Sequence, residues 1–167
     1  IKGVCCHQDH AGVGSAITEP LYEYRLKLLK QVGVNAYRCS HNPPSPELLR
    51  LCDRMGLLVM DENRLLSTGP EYISQVERLV KRDRNHPCIS MWSLGNEAGN
   101  GICHDGAFGV AKAISPEIPI HYESCNATDR KAYDIGSNMY EYLPSFYGEE
   151  LTPKYVRKDI INLDKPY

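Results

Sequence analysis

The chain has 167 residues, 42% of them hydrophobic, and a formal net charge of −2. That is apolar material for one core, so the length argues for one domain or part of one. A charge this near zero gives no electrostatic reason to expect nucleic acid or an anionic membrane as partner, and no apolar run approaches the roughly 18–20 residues that cross a bilayer.

Short β-branched or apolar runs alternate with longer segments of helical periodicity. Residues 2–6 read as a strand. Over 19–32, Leu21, Leu26, Leu28, Leu29 and Val32 fall largely on one helical stripe with Lys27, Lys30 and Gln31 off it, and Gly33 is the stop. Residues 34–39 form a second strand. A helix over 46–55 opens with Ser45 as N-cap and Pro46 at N1 and ends at Gly56. The continuous apolar run 57–60 is what a strand buried on both faces looks like. A charged amphipathic helix over 72–84, a strand over 89–94, a helix over 106–114, strands over 118–122 and 135–139, and a helix over 153–163 complete the series.

Such alternation predicts an α/β fold with a parallel sheet and right-handed crossovers. About six of the eight units of a (β/α)8 TIM barrel fit within residues 1–167, where a closed barrel typically takes about 250 residues. A doubly wound open sheet would want a glycine-rich phosphate turn after the first strand, and Cys5-Cys6-His7-Gln8-Asp9-His10 is not one. Seven cysteines, with Cys6, Cys39, Cys52 and Cys88 inside apolar stretches, predict reduced and mostly buried thiols in a cytoplasmic protein. Zinc on Cys5, Cys6, His7 and His10 would want a second cysteine pair at ligand spacing, which is missing. Ile1-Lys2-Gly3 leading into Val4-Cys5-Cys6 has neither the basic region nor the cleavage site of a signal peptide.

Polar and ionisable residues collect directly after each strand: His7, Asp9 and His10; Arg38, Ser40, His41 and Asn42; Asp61, Glu62, Asn63 and Arg64; Asn96 and Glu97; Glu123; Tyr140 and Glu141. Any one of these reads as a loop charge or a helix cap. Their recurrence after every strand reads as a site on the face where the carboxyl ends of barrel strands open. Glu97 ends Trp92-Ser93-Leu94-Gly95-Asn96-Glu97 and so follows a buried strand beside an amide. That suits a general acid, because a low-dielectric wall favours the protonated carboxyl and the amide can donate to a hydroxyl.

Trp92-Ser93-Leu94-Gly95-Asn96-Glu97 resembles the acid/base signature of glycoside hydrolase family 2, and Asn35-Ala36-Tyr37-Arg38-Cys39-Ser40-His41 resembles that family's other signature. In the second, Asn42-Pro43 stands where an aromatic and a proline are usual. The likeness continues in Leu51–Leu57, in Val59-Met60-Asp61-Glu62 and in Ser137-Asn138-Met139-Tyr140, in the right order along the whole chain. It is greatest to members that act on β-galactosides. It implies hydrolysis of terminal non-reducing β-D-galactosides by a retaining double displacement, with β-glucuronides, β-mannosides or sugar binding without turnover as alternatives. By the same resemblance Glu97 is the acid/base, Asn96 a ligand of the sugar 2-hydroxyl, and His7 and His41 contacts of galactose hydroxyls. Arg38 orients the carboxylates, and Tyr140 hydrogen-bonds the nucleophile.

Two departures carry expectations of their own. Metal-dependent members place a Glu and a His after Asp61-Glu62 that bind magnesium with the acid/base. Leu66 and Thr68 stand there instead, so no metal or other cofactor is expected. The family's nucleophilic Glu lies on a seventh strand, expected beyond Tyr167, so the isolated chain is expected to be inactive. Glu62, Glu123 and Glu141 are the internal candidates for a second carboxylate. Of these, Glu62 reads as a buried structural group and Glu141 as a loop residue. The resemblance further implies, as partners, the remaining barrel segments, β-sandwich domains and a homo-oligomer for the complete protein.

Overall fold

The computed structural model describes residues 1–64, 69–97, 101–123 and 132–137. Strands and helices follow one another as β1 (Gly3–Cys6), α1 (Glu19–Gln31), β2 (Ala36–Cys39), α2 (Pro46–Met55), β3 (Leu58–Glu62), α3 (Pro70–Asp83), β4 (Ile89–Ser93), α4 (Ile102–Ile114), β5 (Ile120–Tyr122) and β6 (Ile135–Gly136). Every pairing between these six strands is parallel, and their spatial order β1-β2-β3-β4-β5-β6 is the sequence order. A doubly wound sheet reverses its growth at a switch point; here each strand is added on the same side, as a barrel is laid down.

The second helix forms where its capping residues put it. The Leu48 amide donates to Ser45 Oγ, Pro46 takes the first turn, and Gly56 closes the helix at φ 69°. Leu48, Leu49, Leu51 and Cys52 are buried along it. In α1 the predicted stripe needs correction. Tyr22 and Leu26 are its buried residues, while Leu28 and Val32 are 43% and 77% exposed. Tyr22 packs inward because its hydroxyl has a polar partner, Gln8 Oε1 at 3.3 Å.

Two further boundaries differ from expectation. The helix α4 begins at Ile102 and not at residue 106, because His104 is buried together with Ala107 and Ala111 on one face, a pattern that imidazole conceals. The strand β3 runs on through Asp61 and Glu62, which the sequence placed after it. The helix predicted over 153–163 lies outside the described residues, as does the end of the strand predicted over 135–139. Among the described residues no helix is long and apolar enough to cross a membrane. Cys39, Cys52 and Cys88 are buried free thiols, Cys6 and Cys103 are half-buried, and Cys5 is exposed.

Register decides which side chains meet the helices. Val4, Tyr37 and Val59 lie opposite one another and face the helical layer, as do Asp61, Trp92 and Ile120. The core sits there: Tyr37, Val59, Trp92 and Ile120 pack with Tyr22, Leu26, Leu48 and Tyr72. Trp92 Nε1 donates to Ser115 Oγ at 3.1 Å and the Tyr72 hydroxyl to the Leu94 carbonyl at 2.8 Å, so both large rings are buried with their polar atoms satisfied. The other face of the sheet carries Cys5, Arg38, Met60, Glu62, Ser93 and His121.

One irregularity sets that phase. Val59 pairs with Ile89, but Met60 pairs with Met91, so Ser90 is an extra residue in β4. Its hydroxyl donates to the Val59 carbonyl at 3.1 Å. Beyond the bulge, Glu62 lies opposite Ser93.

Candidate active site

The carboxyl ends of β2, β3 and β4 converge on Glu62, whose side chain is fully buried. Arg38 Nε lies 2.9 Å from Glu62 Oε2, and Arg38 Nη2 is also 2.9 Å from that oxygen. Ser93 Oγ donates to Oε2 at 2.8 Å, and His41 Nδ1 lies 2.7 Å from Oε1. From the far side His121 Nδ1 reaches Ser93 Oγ at 3.0 Å. Burial, helped by the charge of Arg38, pushes the His121 imidazole down to about 4, so it is neutral at pH 7. Burial works against the Arg38 cation, but the charge and hydrogen bonds of Glu62 outweigh that and stabilise it.

Arg38 then carries this arrangement outward. Its Nη2 donates to Asn96 Oδ1 at 2.9 Å, which ties the half-buried Asn96 to the same guanidinium as Glu62. Glu97 follows, exposed, with its backbone at φ 50° after Gly95 at φ 147°. A left-handed turn of this kind is uncommon for a residue other than glycine and swings the carboxylate out of the strand direction. His7 lies edge-on to His41 with ring centroids 5.3 Å apart.

Of the residues singled out in the sequence, Arg38, His41 and Asn96 are therefore joined through Glu62, with His7 against His41 and Glu97 beside Asn96 in the chain. Tyr140, Glu141, Leu66 and Thr68 lie outside the described residues. Asp9 and His10 are exposed, and the Asp9 carbonyl receives Arg25 Nη1 at 2.9 Å. Glu123 is buried and accepts from the Ser137 hydroxyl.

The sequence reading overlooked Ser93 and His121. Ser93 stood inside a motif read for its last two residues, and His121 inside a segment read as an apolar strand. Strand alternation past the bulge would have put both on the side of Glu62. Asp61, counted among the site residues, points the other way, into the helical layer.

A parallel barrel wall bearing an amide, an imidazole, a guanidinium and an exposed carboxylate at its carboxyl end is the place where enzymes of this architecture build their active sites. The family model for "Glycosyl hydrolases family 2, TIM barrel domain" matches residues 1–72 and 67–167. A beta-galactosidase of Pectobacterium atrosepticum is 42% identical over 154 residues, covering 84% of this chain and 15% of its own length. Among solved structures, a beta-glycosidase from Bacteroides vulgatus matches at TM-score 0.73 and 35% identity, over 81% of this chain and 19% of that one. The apo structure of Bacteroides uniformis beta-glucuronidase 3 matches at TM-score 0.66 and 31% identity, over 75% and 18%. The chain belongs to glycosyl hydrolase family 2, as part of its TIM-barrel domain.

Proposed function

We propose that the protein carrying this chain hydrolyses terminal non-reducing β-D-galactosides with retention of configuration. Glu97 delivers a proton to the glycosidic oxygen and then activates water. Asn96, His41 and His7 hold sugar hydroxyls, and Arg38 holds Asn96 and Glu62 in place. The observation that carries this reading is the Arg38 guanidinium binding Glu62 and Asn96 together immediately before Glu97, on a chain 42% identical to a beta-galactosidase. An amide locked beside a free carboxylate suits recognition of a hydroxyl next to the bond being cleaved.

A retaining pair sets its two carboxyls about 5–5.5 Å apart. Because the chain spans 15% of the curated relative, the nucleophilic carboxylate is proposed to come from the longer protein, with Tyr140 bonded to it. Leu66 and Thr68 offer neither carboxylate nor imidazole for a hard cation, so the site is proposed to work without magnesium.

The test is a panel of nitrophenyl β-glycosides on the full-length protein and its Glu97→Gln variant. Preference for the galactoside, lost in the variant for poor leaving groups, supports the reading. Preference for the glucuronide would move the assignment to the activity named for the Bacteroides uniformis structure.

A further inference from the structure

We infer that Glu62 is a positioning residue that sets the hydrogen-bond orientation of the site: it holds His41 with Nδ1–H inward and Nε2 outward, and through Arg38 it turns the N–H2 of Asn96 to the ligand. The inference rests on the site reading above and deepens it.

The argument is a count of protons. The Arg38 Nε–H bond and the ion pair with Nη2 hold Glu62 as a carboxylate, and a carboxylate only accepts. The atom 2.7 Å from its Oε1, His41 Nδ1, must then carry a hydrogen, since two acceptors would not approach so closely. The 3.4 Å approach of Arg38 Nη2 to that same nitrogen is therefore a contact between two donors. With its hydrogen at Nδ1 turned to Glu62, the 34% exposed ring presents Nε2 outward, and in the neutral ring that nitrogen accepts a hydroxyl proton. Arg38 Nη2 donates one of its two hydrogens to Asn96 Oδ1 at 2.9 Å. With its oxygen turned to Arg38, Asn96 presents its amide hydrogens on the opposite side.

The far side of Glu62 is fixed by the same logic. The single hydroxyl proton of Ser93 lies on Oε2, so Ser93 must accept from His121, and the neutral His121 must carry its hydrogen at Nδ1. The chain of donors runs His121 to Ser93 to Glu62, while His41 and Arg38 donate from the other side. Both routes end on one buried carboxylate. The ligand that fits is one with a hydroxyl to donate to His41 and an oxygen to accept from Asn96, side by side, as on a sugar ring.

In Glu62→Gln the amide keeps the shape but has one acceptor. If its oxygen stays on Arg38, its N–H2 faces His41 Nδ1 and forces the hydrogen to Nε2, reversing what His41 offers. The experiment measures kcat and KM on a nitrophenyl β-galactoside for the full-length protein and for Glu62→Gln, His41→Ala and the double variant. Loss of a charged hydrogen bond predicts a fall of about 10- to 100-fold in kcat/KM for Glu62→Gln, with KM raised. A lesion that only lowers the folded fraction would reduce apparent kcat alone. The double variant is expected to be no worse than about threefold below the weaker single variant, because Glu62 acts through His41. Ser93→Ala, which spares the carboxylate and removes one donor, is expected to lose several-fold less activity and to couple to His41→Ala in the same direction. Multiplicative losses in both double variants, with KM unchanged, would overturn the inference while leaving the galactosidase reading intact. Absence of β-glycoside hydrolysis in the wild type, or indifference to Glu97→Gln, would instead remove the site reading and this inference with it.

Discussion

Asp61 is fully buried on the helical side of β3, and no donor among the described residues reaches either of its oxygens. The group facing it is Asp83, itself buried and held by Arg82 through both carboxylate oxygens at 2.6 Å. A bond between the two carboxyls needs a proton on one of them. Desolvation, then the bond to and charge of Asp83, hold Asp61 well above the usual carboxylate range, with Arg82 opposing and Glu62 reinforcing. The folded protein therefore binds this proton more tightly than the unfolded chain does. Its contribution to stability is fully present below the unfolded value, near 3.9, and is lost as pH rises toward the folded one. The slope is about 1.4 kcal/mol per pH unit while Asp61 stays protonated in the fold, so two pH units amount to ~3 kcal/mol.

Asp61→Asn removes the titration and keeps a donor for Asp83. Relative to wild type, the variant should gain stability at that slope from about pH 5 upward. Hydrogen exchange of the β3 and α3 amides in the full-length protein, corrected for intrinsic rates at pH 5, 6, 7 and 8, measures the local opening free energy. A difference between Asp61→Asn and wild type that stays constant from pH 5 to 8 would refute the reasoning, since it would mean that Asp61 is ionised throughout, as a partner of Arg82.

Other outcomes are expected at once. Glu97→Gln should lower turnover of substrates with poor leaving groups by about 10²–10⁴-fold and spare activated ones at the first step, with azide restoring the second; assays on lactose-like and dinitrophenyl substrates check this. Rates before and after EDTA should agree, and a recovery specific to magnesium would mean that the 65–68 segment binds metal. Burial pushes His104 down to about 4 where it packs between Tyr72 and Tyr122, so its neutral form stabilises the fold above pH 6.5 and that stability is lost as pH falls toward 4. His104→Phe should flatten this acid limb by about 1.4 kcal/mol per unit, read by urea unfolding between pH 4 and 7. Leu48→Ala, at a fully buried position of α2, should cost about 2–5 kcal/mol in the same assay.

The fold was legible because its signals are local. Ser45, Pro46 and Gly56 bracket α2 to the residue, and apolar runs mark β2 and β4 within one or two positions. The failures share a cause: amphipathic residues whose burial depends on a distant partner. Tyr22 goes inward because Gln8 receives its hydroxyl, and His104 because two tyrosine rings enclose it. Glu62 extends β3 because the two neighbouring strands supply its donors, Arg38 and His41 at the end of β2 and Ser93 on β4. In the site, Arg38, His41, Asn96 and Glu97 were readable from motif and position after a strand. What joins them was not, because it depends on the bulge at Ser90 and on which oxygen of Glu62 each donor meets.

That bulge governs which changes of length β4 can survive. With Ile89 opposite Val59 and no extra residue, Ser90 would lie opposite Met60, Met91 opposite Asp61, and Trp92 opposite Glu62. Closing the bulge with Ser90 retained would thus thrust an indole against the buried carboxylate and send Ser93 into the helices. Deletion of Ser90 itself keeps the phase, with Met91 opposite Met60 and Trp92 opposite Asp61, so the strand can lose one residue at the bulge. A chimaera that borrows the segment ending in Asn96 and Glu97 from a relative must bring Val59, Met60 and Ser90 from the same donor, or the borrowed residues will arrive half a turn out of phase.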